Sequence, residues 1–402
     1  MRVFHINAVP YGSTGRIMFH MVDLLAQKGH ESLCTTGFTW AKSGRDNCFI
    51  TSGLITKRLH MLLAQNTGLM GCFSVGATLK LLRRIRKFRP DVIHMHNLHS
   101  WFVNLPMLFR FLKKAGIPVV WTFHDCWALT GHCAYFGMVD CDKWKTGCHH
   151  CPQCDEFPET RIDNTRWMWR QKKKWFNGIE KLTVVTPSRW LAGLVKQSYL
   201  KDYDIRVINN GIDTAVFRPT DSDFRKKYGC EDQFVILGVS FDWCHRKGLD
   251  VFVELAQRLG DRFRIVLVGT NEELDRELPA SVISIHRTAN AAELAQIYSA
   301  ADLFLNPTRE ENYPTVNMEA LACGTPVLTF RTGGSPEMLD DTCGCVVGYG
   351  DTDAMEQQIL RIAEHRPYKK EACLRRAEDF ATNDRFQNYI RLYEELITGR
   401  KS

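Results

Sequence analysis

Two glutamates, Glu311 and Glu319, stand eight positions apart in the stretch REENYPTVNMEALACGTPV. Glu311 precedes a predicted helix and Glu319 lies inside it. Pro314 is expected in the first turn of that helix, where its missing N–H costs nothing. Free backbone amides at a helix N-terminus, here those of Thr315, Val316 and Asn317, bind phosphate well. A carboxylate does not attract phosphate, but it accepts hydrogen bonds from the hydroxyls of a sugar. The spacing therefore predicts a ligand with a diphosphate in the middle and hydroxyl-rich groups at both ends, which is a nucleotide-sugar.

The alternative interpretation of this stretch is an exposed helix with two solvated glutamates. Its context favours a binding site, because the pair follows the end of a predicted strand, DLFLNP, and a second glycine turn, Gly333 and Gly334, comes soon afterwards. In parallel α/β sheets, ligands bind outside the carboxyl ends of the strands.

Short apolar strands alternate with amphipathic helices along the chain. RVFHINAV is followed by STGRIMFHMVDLLAQKGH, and FVILGVS is followed later by GLDVFVELAQRLG. This alternation predicts parallel sheets covered by helices on both faces. The segment 206–219 has turn chemistry and separates two such sets. We therefore predict an α/β protein with two Rossmann-like, doubly wound domains that face each other across a cleft, followed by C-terminal helices.

The first half of the chain has two candidates at predicted strand ends. The loop YGSTGRI places Gly12 and Gly15 between a strand and a helix, which is either a plain turn or a loop that approaches a bound diphosphate. His124 ends the strand VVWTFHD, and Asp125 follows it as a group that could orient the imidazole. An isolated histidine is more often a satisfied core or surface residue, and its place at a strand end favours a binding site.

These motifs together resemble a known family. The run from Glu311 to Glu319, followed by ALACGTPV and GGSPEML, is similar to the E-x7-E region of glycosyltransferase family four, a retaining family with two Rossmann-like domains. RVINNGIDTAVFRP resembles that family's inter-domain signature, and RKGLDVFVEL resembles its diphosphate site. The N-terminal half, with WTFHDCWALTGHC and KTGCHHCP, is similar to a subgroup of colanic-acid and exopolysaccharide transferases.

The resemblance implies a role for each matching residue of the second half. Glu319 would hold the ribose hydroxyls and Glu311 would contact the donor hexose. Lys247, with Arg246 beside it, would neutralise the diphosphate, whose charge grows as the sugar leaves. The family usually has an arginine where this chain has SFDWCH, so Arg246 would substitute for it. Pro314 stands where many members have a glycine, which leaves the next two amides as the phosphate cradle.

In the first half, the resemblance implies that His124 forms a wall of the reaction centre, where it contacts a sugar hydroxyl or orients the acceptor. Gly15 would border the donor site. The implied architecture is of the GT-B type. Residues 1–213 would form the acceptor-binding domain, and residues 214–402 would form the nucleotide-sugar-binding domain, with terminal helices that pack back on the first.

We therefore expect a retaining transferase that moves a hexose from a nucleotide-sugar to a saccharide acceptor, most plausibly a lipid-linked one, in surface polysaccharide biosynthesis. No Asp-x-Asp pair follows a predicted strand of the first half, so no catalytic metal or other catalytic cofactor is expected. The alternatives are a sugar-nucleotide epimerase and a nucleotide-binding module without catalysis, both on the same fold.

The net charge of +7 is unevenly distributed. Residues 1–215 carry 29 Lys and Arg against 15 Asp and Glu. Because the whole chain has 52 and 45 of these, residues 216–402 carry 23 Lys and Arg against 30 Asp and Glu. The basic stretches LLRRIRKFRP and WMWRQKKKWF mix cations with apolar residues. These stretches are either solvated helix faces or contacts to a membrane surface. Neither stretch favours nucleic acid as a partner.

The N-terminus, MRVFHINAVPYG, has no small-residue cleavage site and predicts a first strand. No window approaches the roughly 18 apolar residues that span a bilayer. We therefore expect a cytoplasmic protein, either without membrane contact or peripheral on the inner face of the membrane.

Six of the 15 cysteines fall within residues 126–154. Cys133, Cys141, Cys148 and Cys151 have the spacing of ligands for a structural zinc ion or an iron–sulfur cluster, which would stabilise an insertion without a core of its own. The alternative is a set of free or disulfide-paired thiols.

Overall fold

The computed structural model describes residues 1–37 and 44–399 of the chain. It divides into two compact units. The first comprises Met1–Ile208 and Phe386–Ser402, and the second comprises Asn209–Arg385. The boundary expected from the sequence, after residue 213, falls a few residues beyond this division.

The first unit is built on a seven-stranded parallel sheet. Its strands are β1 (Arg2–Asn7), β2 (Glu31–Thr36), β3 (Cys48–Ile50), β4 (Val92–Met95), β5 (Val119–Thr122), β6 (Leu182–Thr186) and β7 (Asp204–Val207). The order in the sheet is β3-β2-β1-β4-β5-β6-β7. The chain therefore reverses its direction of winding between β1 and β4, and that switch point is where such sheets bind ligands.

Helices cover both faces of this sheet because each carries apolar residues at helical spacing. They are α1 (Gly12–Gln27), α2 (Leu54–Thr67), α3 (Val75–Phe88), α4 (Leu105–Ala115), α5 (Lys143–Thr146), α6 (Thr165–Phe176) and α7 (Arg189–Val195). In α3, for example, Leu81, Ile85 and Phe88 are buried while the arginines between them are exposed.

The second unit contains a six-stranded parallel sheet. Its strands are β8 (Phe234–Val239), β9 (Phe263–Val268), β10 (Ile283–Ile285), β11 (Leu303–Asn306), β12 (Val327–Phe330) and β13 (Gly344–Val347). The order is β10-β9-β8-β11-β12-β13, which puts the switch point between β8 and β11.

The helices of the second unit complete the same layered arrangement. They are α8 (Phe224–Lys227), α9 (Leu249–Arg258), α10 (Ala291–Ala300), α11 (Thr315–Ala322), α12 (Thr352–His365) and α13 (Lys370–Glu378). The prediction of two Rossmann-like, doubly wound α/β domains is confirmed by these two sheets.

The last helix, α14 (Thr382–Thr398), leaves the second unit at its first turn and belongs to the first unit from Phe386 onward. Its buried aromatic residues Phe386, Tyr389 and Tyr393 pack in one apolar cluster with Val3 of β1 and Ile17 of α1. Among the described helices, none has the length and apolar character needed to cross a membrane.

Candidate active site

Two loops of the second unit, which follow β8 and β11 at the switch point, are packed against each other. The backbone N–H of Arg309 donates to the carbonyl oxygen of Arg246 over 2.8 Å. Gly248 has φ +75°, and a Cβ placed there would lie 2.4 Å from the carbonyl oxygen of Pro307. Only glycine satisfies both the left-handed backbone and this close approach. The loops therefore fix the short 3₁₀ turn His245–Lys247 beside the end of β11.

This packing brings Lys247 into contact with Glu311. The resemblance implied that both residues bind the same donor. Lys247 Nζ lies 2.7 Å from Glu311 Oε2, and the two side chains are 23% and 19% exposed. Burial opposes ionisation of Glu311, but Lys247 and the N–H of Asn312 outweigh it and hold the pKa of Glu311 below its usual value. The site thus presents a carboxylate that accepts hydrogen bonds and a cation that is already oriented beside it.

The glycine turn after β12 packs on the backbone of the loop that carries this carboxylate. Gly333 has φ +52°, and a Cβ on it would lie 1.8 Å from the carbonyl oxygen of Glu311. The N–H of Gly334 donates to the carbonyl oxygen of Asn312 over 2.7 Å. The two glycines noticed in the sequence therefore allow the loop after β12 to close on the loop that carries Glu311.

Helix α11 begins at Thr315, and Pro314 is its N-cap residue with φ −71° and ψ 119°. The expectation that Pro314 lies within the first helical turn was wrong by one residue, because its extended ψ places it before the helix. Pro314 offers no side-chain cap to the helix. The first-turn amides, which include those of Thr315 and Val316, can therefore serve an anion.

Glu319 is 4% exposed and accepts a hydrogen bond from the hydroxyl of Tyr298 over 3.1 Å. On the same helix, the side-chain oxygen of Asn317 accepts from the amide of Asn306 over 2.7 Å, while its own Nδ2 is buried without a described partner. The side chains of Tyr298, Asn306 and Asn317 were missed in the sequence. The N–H of Asn317, which was expected to be free for phosphate, donates to the carbonyl oxygen of Pro314 over 3.3 Å. A tyrosine in α10 gave no local signal that its hydroxyl would meet a residue of α11.

In the first unit, His124 follows β5 and is half-buried. Its Nε2 shares a hydrogen bond of 3.1 Å with Nδ1 of His96, which follows β4. Burial lowers the pKa of His124 to about 4, although Asp125 opposes this shift. His124 is therefore neutral near pH 7. Asp125 accepts from the ring of His99 over 3.0 Å and from the N–H of Trp127 over 2.9 Å.

Behind His124 lies a buried histidine cluster that sequence reasoning missed. His5, His94 and His96 are the one group of metal-ligand type whose atoms lie within 4.8 Å of one another among the described residues. Both ring nitrogens of His94 are engaged, by Tyr393 over 2.6 Å and Thr122 over 2.8 Å. His94 therefore has no ring nitrogen left for a metal ion, and burial lowers the pKa of all three imidazoles. The cluster is a neutral polar network.

Gly15 lies within the first turns of α1 and is buried. A Cβ on it would lie 2.4 Å from the carbonyl carbon of Pro10. A residue without a side chain is therefore needed at this position for α1 to pack on the loop after β1, at the switch point of the first sheet.

The cysteine-rich insertion lies between β5 and α6, and all 15 cysteines of the chain are free thiols. The disulfide alternative therefore does not apply. Cys133 shares a hydrogen bond with Cys151, and the N–H of Gly131 donates to Cys148 Sγ over 3.2 Å. Cys141 lies close enough to Cys148 to affect its ionisation. The four predicted ligands are thus neighbours, although no three of these described thiols fall within 4.8 Å of one another.

Comparison with known proteins agrees with this geometry. Residues 14–216 match the family described as Glycosyltransferase Family 4, and residues 232–365 match Glycosyl transferases group 1. The chain is 28% identical over 308 residues to the putative colanic acid biosynthesis glycosyl transferase WcaC of Escherichia coli K12. That match covers 74% of this chain and 71% of WcaC.

Solved structures show the same fold over the whole chain. Sucrose-phosphate synthase from Thermosynechococcus elongatus matches with a TM-score of 0.72 at 18% identity, over 100% of both chains. Anabaena HepE in complex with UDP-glucose matches with a TM-score of 0.66 at 15% identity, also over 100% of both chains. The fold is therefore of the GT-B type. Since the first family match takes in about half of the 402 residues, the chain belongs to glycosyltransferase family 4 and is a glycosyltransferase.

Proposed function

We propose that the protein transfers a hexose from a nucleotide-diphosphate sugar to a saccharide acceptor, with retention of configuration at the anomeric carbon. The observation that carries the proposal is the contact between Lys247 and Glu311 at the switch point of the second sheet, beside the uncapped start of α11. HepE, which has the same fold, was solved with UDP-glucose. This supports the proposal of a nucleotide-sugar donor for the present protein.

The diphosphate is the leaving group, and its negative charge grows as the glycosidic bond breaks. Lys247, Arg246 and the first amides of α11 are positioned to stabilise that charge. Cations and amides that are already oriented need no reorganisation during the reaction, which is the main advantage of a folded site over water. No divalent metal is required in this scheme.

Glu319 binds the ribose of the donor. Its carboxylate accepts a hydrogen bond from the hydroxyl of Tyr298, which fixes its orientation, and each carboxylate oxygen can accept more than one hydrogen bond, as a vicinal diol requires. Hydrogen bonds between hydroxyls and a buried carboxylate are among the stronger ones in proteins, because one partner is charged.

Glu311 contacts hydroxyls of the donor hexose. Lys247 keeps it ionised, so it acts as an acceptor and does not deliver a proton to the leaving group. In the retaining scheme, departure and attack occur on the same face of the sugar, and the departing phosphate takes the proton of the acceptor. His124, neutral near pH 7, contacts a sugar hydroxyl in the reaction centre.

The acceptor is a lipid-linked saccharide of a surface polysaccharide, and the protein meets it at the inner face of the membrane. The similarity to WcaC, whose name assigns it to colanic acid biosynthesis, supports the polysaccharide class. In the first unit, a cavity of about 510 Å³ between α3 and α4 combines Arg86, Arg89 and Lys114 with the apolar side chains of Phe111 and Ile117. Cations around an apolar floor suit the head groups of anionic lipids.

The test begins with donor binding. Calorimetric titration with UDP, GDP, ADP and CDP, and with their hexose conjugates, should identify one nucleotide series that binds. Glu319→Gln should weaken that binding about tenfold or more, because hydrogen bonds to a charged group contribute about 1.5–3 kcal/mol. Glu364→Gln, on an exposed part of α12, is the control and should bind normally.

The anomeric outcome is then followed by NMR, with the donor identified in this way and lipid-linked oligosaccharides as acceptors. An α-linked product from an α-linked donor supports the proposal. Absence of nucleoside diphosphate binding, inversion of configuration, or an unchanged affinity in Glu319→Gln would each contradict it.

A further inference from the structure

The sequence predicts a solvated or membrane-facing helix for the basic run WMWRQKKKWF. In the structure, however, one lysine of this run lies in the core. Lys172 of α6 is fully buried. Its Nζ donates to the carbonyl oxygens of Trp127 over 2.5 Å and Thr130 over 3.0 Å, and it lies 3.6 Å from the centre of the Trp127 ring. A buried ammonium is costly unless a negative charge lies close to it.

No carboxylate forms an ion pair with Lys172 among the described residues. Asp125 lies near enough to favour its charge, but both carboxylate oxygens of Asp125 are already bonded, to His99 and to the N–H of Trp127. Burial lowers the pKa of Lys172 to about 7, and the neighbours that favour its charge most are the thiols of Cys148 and Cys133. A neutral thiol does not balance an ammonium, whereas a metal-bound thiolate does.

Two of the thiols are close enough to be ligands of one ion. Cys133 and Cys151 are in hydrogen-bonding contact. Two thiolates bound to one zinc ion at about 2.3 Å lie roughly 3.8 Å apart, which matches such a contact. In a cluster of four irons and four sulfides each iron binds one cysteine, so the contact favours a single ion over such a cluster.

The backbone around the thiols also supplies the hydrogen bonds that a thiolate accepts. Gly131 donates its N–H to Cys148, and a Cβ on Gly131 would lie 2.4 Å from the carbonyl oxygen of Thr165. Only glycine allows this approach. The N–H of Cys151 donates to Asp163 over 2.8 Å, which anchors the second end of the C-x2-C pair to the start of α6.

We propose that Cys133, Cys141, Cys148 and Cys151 hold one structural zinc ion, and that the buried ammonium of Lys172 balances the negative charge of the resulting tetrathiolate. Four thiolates around Zn²⁺ carry a net charge of about −2, which one ammonium halves. Binding draws the four thiols together and releases their protons. The ion stabilises the folded conformation of the insertion, which begins directly after His124 and Asp125.

The inference is independent of the reaction, because the ion is structural. Protein purified without added metal is analysed by inductively coupled plasma mass spectrometry and should contain about one zinc per chain. Cys148→Ser and Cys151→Ser should lose the zinc. Cys345→Ser, in the second unit, is the matched control and should keep it.

Two further cysteine variants decide the fourth ligand, since Cys154 also contacts Cys151. Zinc content should fall in Cys141→Ser and remain in Cys154→Ser. The reverse pattern would overturn the assignment of Cys141. An absorbance band of an iron–sulfur cluster near 400 nm, with iron in place of zinc, would overturn the choice of ion.

Lys172→Met tests the charge balance without altering a ligand. Competition with a chromophoric chelator should show zinc binding weakened by about tenfold or more, as expected for a partner in the outer shell of a metal site. An unchanged affinity would refute the role of Lys172.

If the cysteine variants do not fold, the wild-type chain still decides the question. Titration with a thiol reagent should show the four cysteines protected in the purified protein and reactive after treatment with a chelator. Protein that contains no metal, with thiols equally reactive before and after zinc is added, would refute the site.

Discussion

The Lys247–Glu311 pair is the residue-scale feature on which the donor site depends. Both side chains come from loops, and neither would hold its position alone. Lys247 orients the carboxylate, and Glu311 in turn holds the ammonium that we propose to stabilise the diphosphate. The pair also sets the ionisation of Glu311, since burial by itself would raise the pKa of this carboxyl.

Replacement of Lys247 by Met should therefore shift the pH profile of donor turnover. Without the cation, burial dominates and the pKa of Glu311 rises, so activity on the acid side falls at a higher pH than in the wild type. Lys247→Arg is the control, because it keeps the charge. The measurement is the rate of donor hydrolysis or transfer between pH 4 and pH 8. An acid limb at the same pH in Lys247→Met and in the wild type would show that Lys247 does not govern this carboxyl.

At the same scale, the residues around His124 bury its imidazole and thereby keep it neutral near pH 7. It is joined to His96, whose ring stacks on it with centroids 5.4 Å apart. His96 is itself fully buried and part of the histidine cluster. His124 is an isolated polar residue in the sequence, but in the structure it belongs to a network that extends through the core to Tyr393 of α14.

At the scale of elements, the glycine turn after β12 decides how closely two loops approach. Gly333 and Gly350 both have a left-handed backbone, with φ +52° and +70°. They differ in their surroundings: a Cβ on Gly333 would strike the Glu311 carbonyl, whereas a Cβ on Gly350 would meet nothing within 4 Å.

This matched pair gives a stability prediction. Gly350→Ala should cost about 1 kcal/mol for its backbone conformation alone. Gly333→Ala should cost roughly 1–3 kcal/mol more, because the loops must separate. Chemical denaturation measures both values. Gly333→Ala should also raise the KM for the donor while Gly350→Ala leaves it unchanged. Equal losses in both variants would show that the loop contact is not rigid.

The helices α3 and α4 present the surface that we assign to the membrane. In α3 the apolar residues are buried and Arg86 is exposed, and α4 contributes Lys114 near its end. Each basic residue near an anionic surface contributes about 1 kcal/mol of attraction.

Charge reversal at both positions should therefore reduce binding to vesicles. The double variant Arg86→Glu/Lys114→Glu should bind phosphatidylglycerol-containing vesicles at least tenfold more weakly in a sedimentation assay. Lys201→Glu, an exposed lysine elsewhere in the first unit, should have a small effect. Wild-type protein that binds anionic and neutral vesicles alike, or a double variant that binds normally, would exclude this surface.

At the scale of the whole molecule, burial of histidines couples folding to pH. Burial lowers the pKa of His5 to about 3, and it lowers those of His60, His124 and His132 to about 4. An unfolded chain binds protons at these residues with a pKa near 6.5. The unfolded state therefore takes up more protons as the pH falls, and the free energy of unfolding decreases from about pH 6.5 toward pH 4.

Denaturation curves at pH 7, 6 and 5 should show this loss, with up to about 1.4 kcal/mol per pH unit from each buried histidine. His5→Leu should flatten the dependence and raise stability at pH 5, because neither nitrogen of His5 has a described hydrogen-bond partner to lose. His365→Gln, on an exposed side chain, is the control and should leave the slope unchanged. A slope unaffected by His5→Leu would mean that His5 is not the buried neutral group described here.

The sequence by itself determined the class of fold, and it predicted most of the proposed donor-binding residues within one short stretch. Strand and helix periods are local properties, so two parallel sheets could be predicted from runs such as RVFHINAV and FVILGVS. Glu311, Glu319 and the amides between them lie within one short stretch, and their relation follows from where one helix begins. The error at Pro314 was a single position, since the limits of an element depend on φ and ψ more than on pattern.

Only the tertiary structure decided which distant residues meet. Lys247 reaches Glu311 because β8 and β11 are neighbours at the switch point, and Tyr298 reaches Glu319 because α10 packs on α11. Lys172 is buried beside thiols, although its neighbours in sequence predicted a solvated face. Such contacts depend on the order of strands in a sheet and on which side of a helix is covered. These are settled by packing of the whole chain, and no local pattern of residues carries that information.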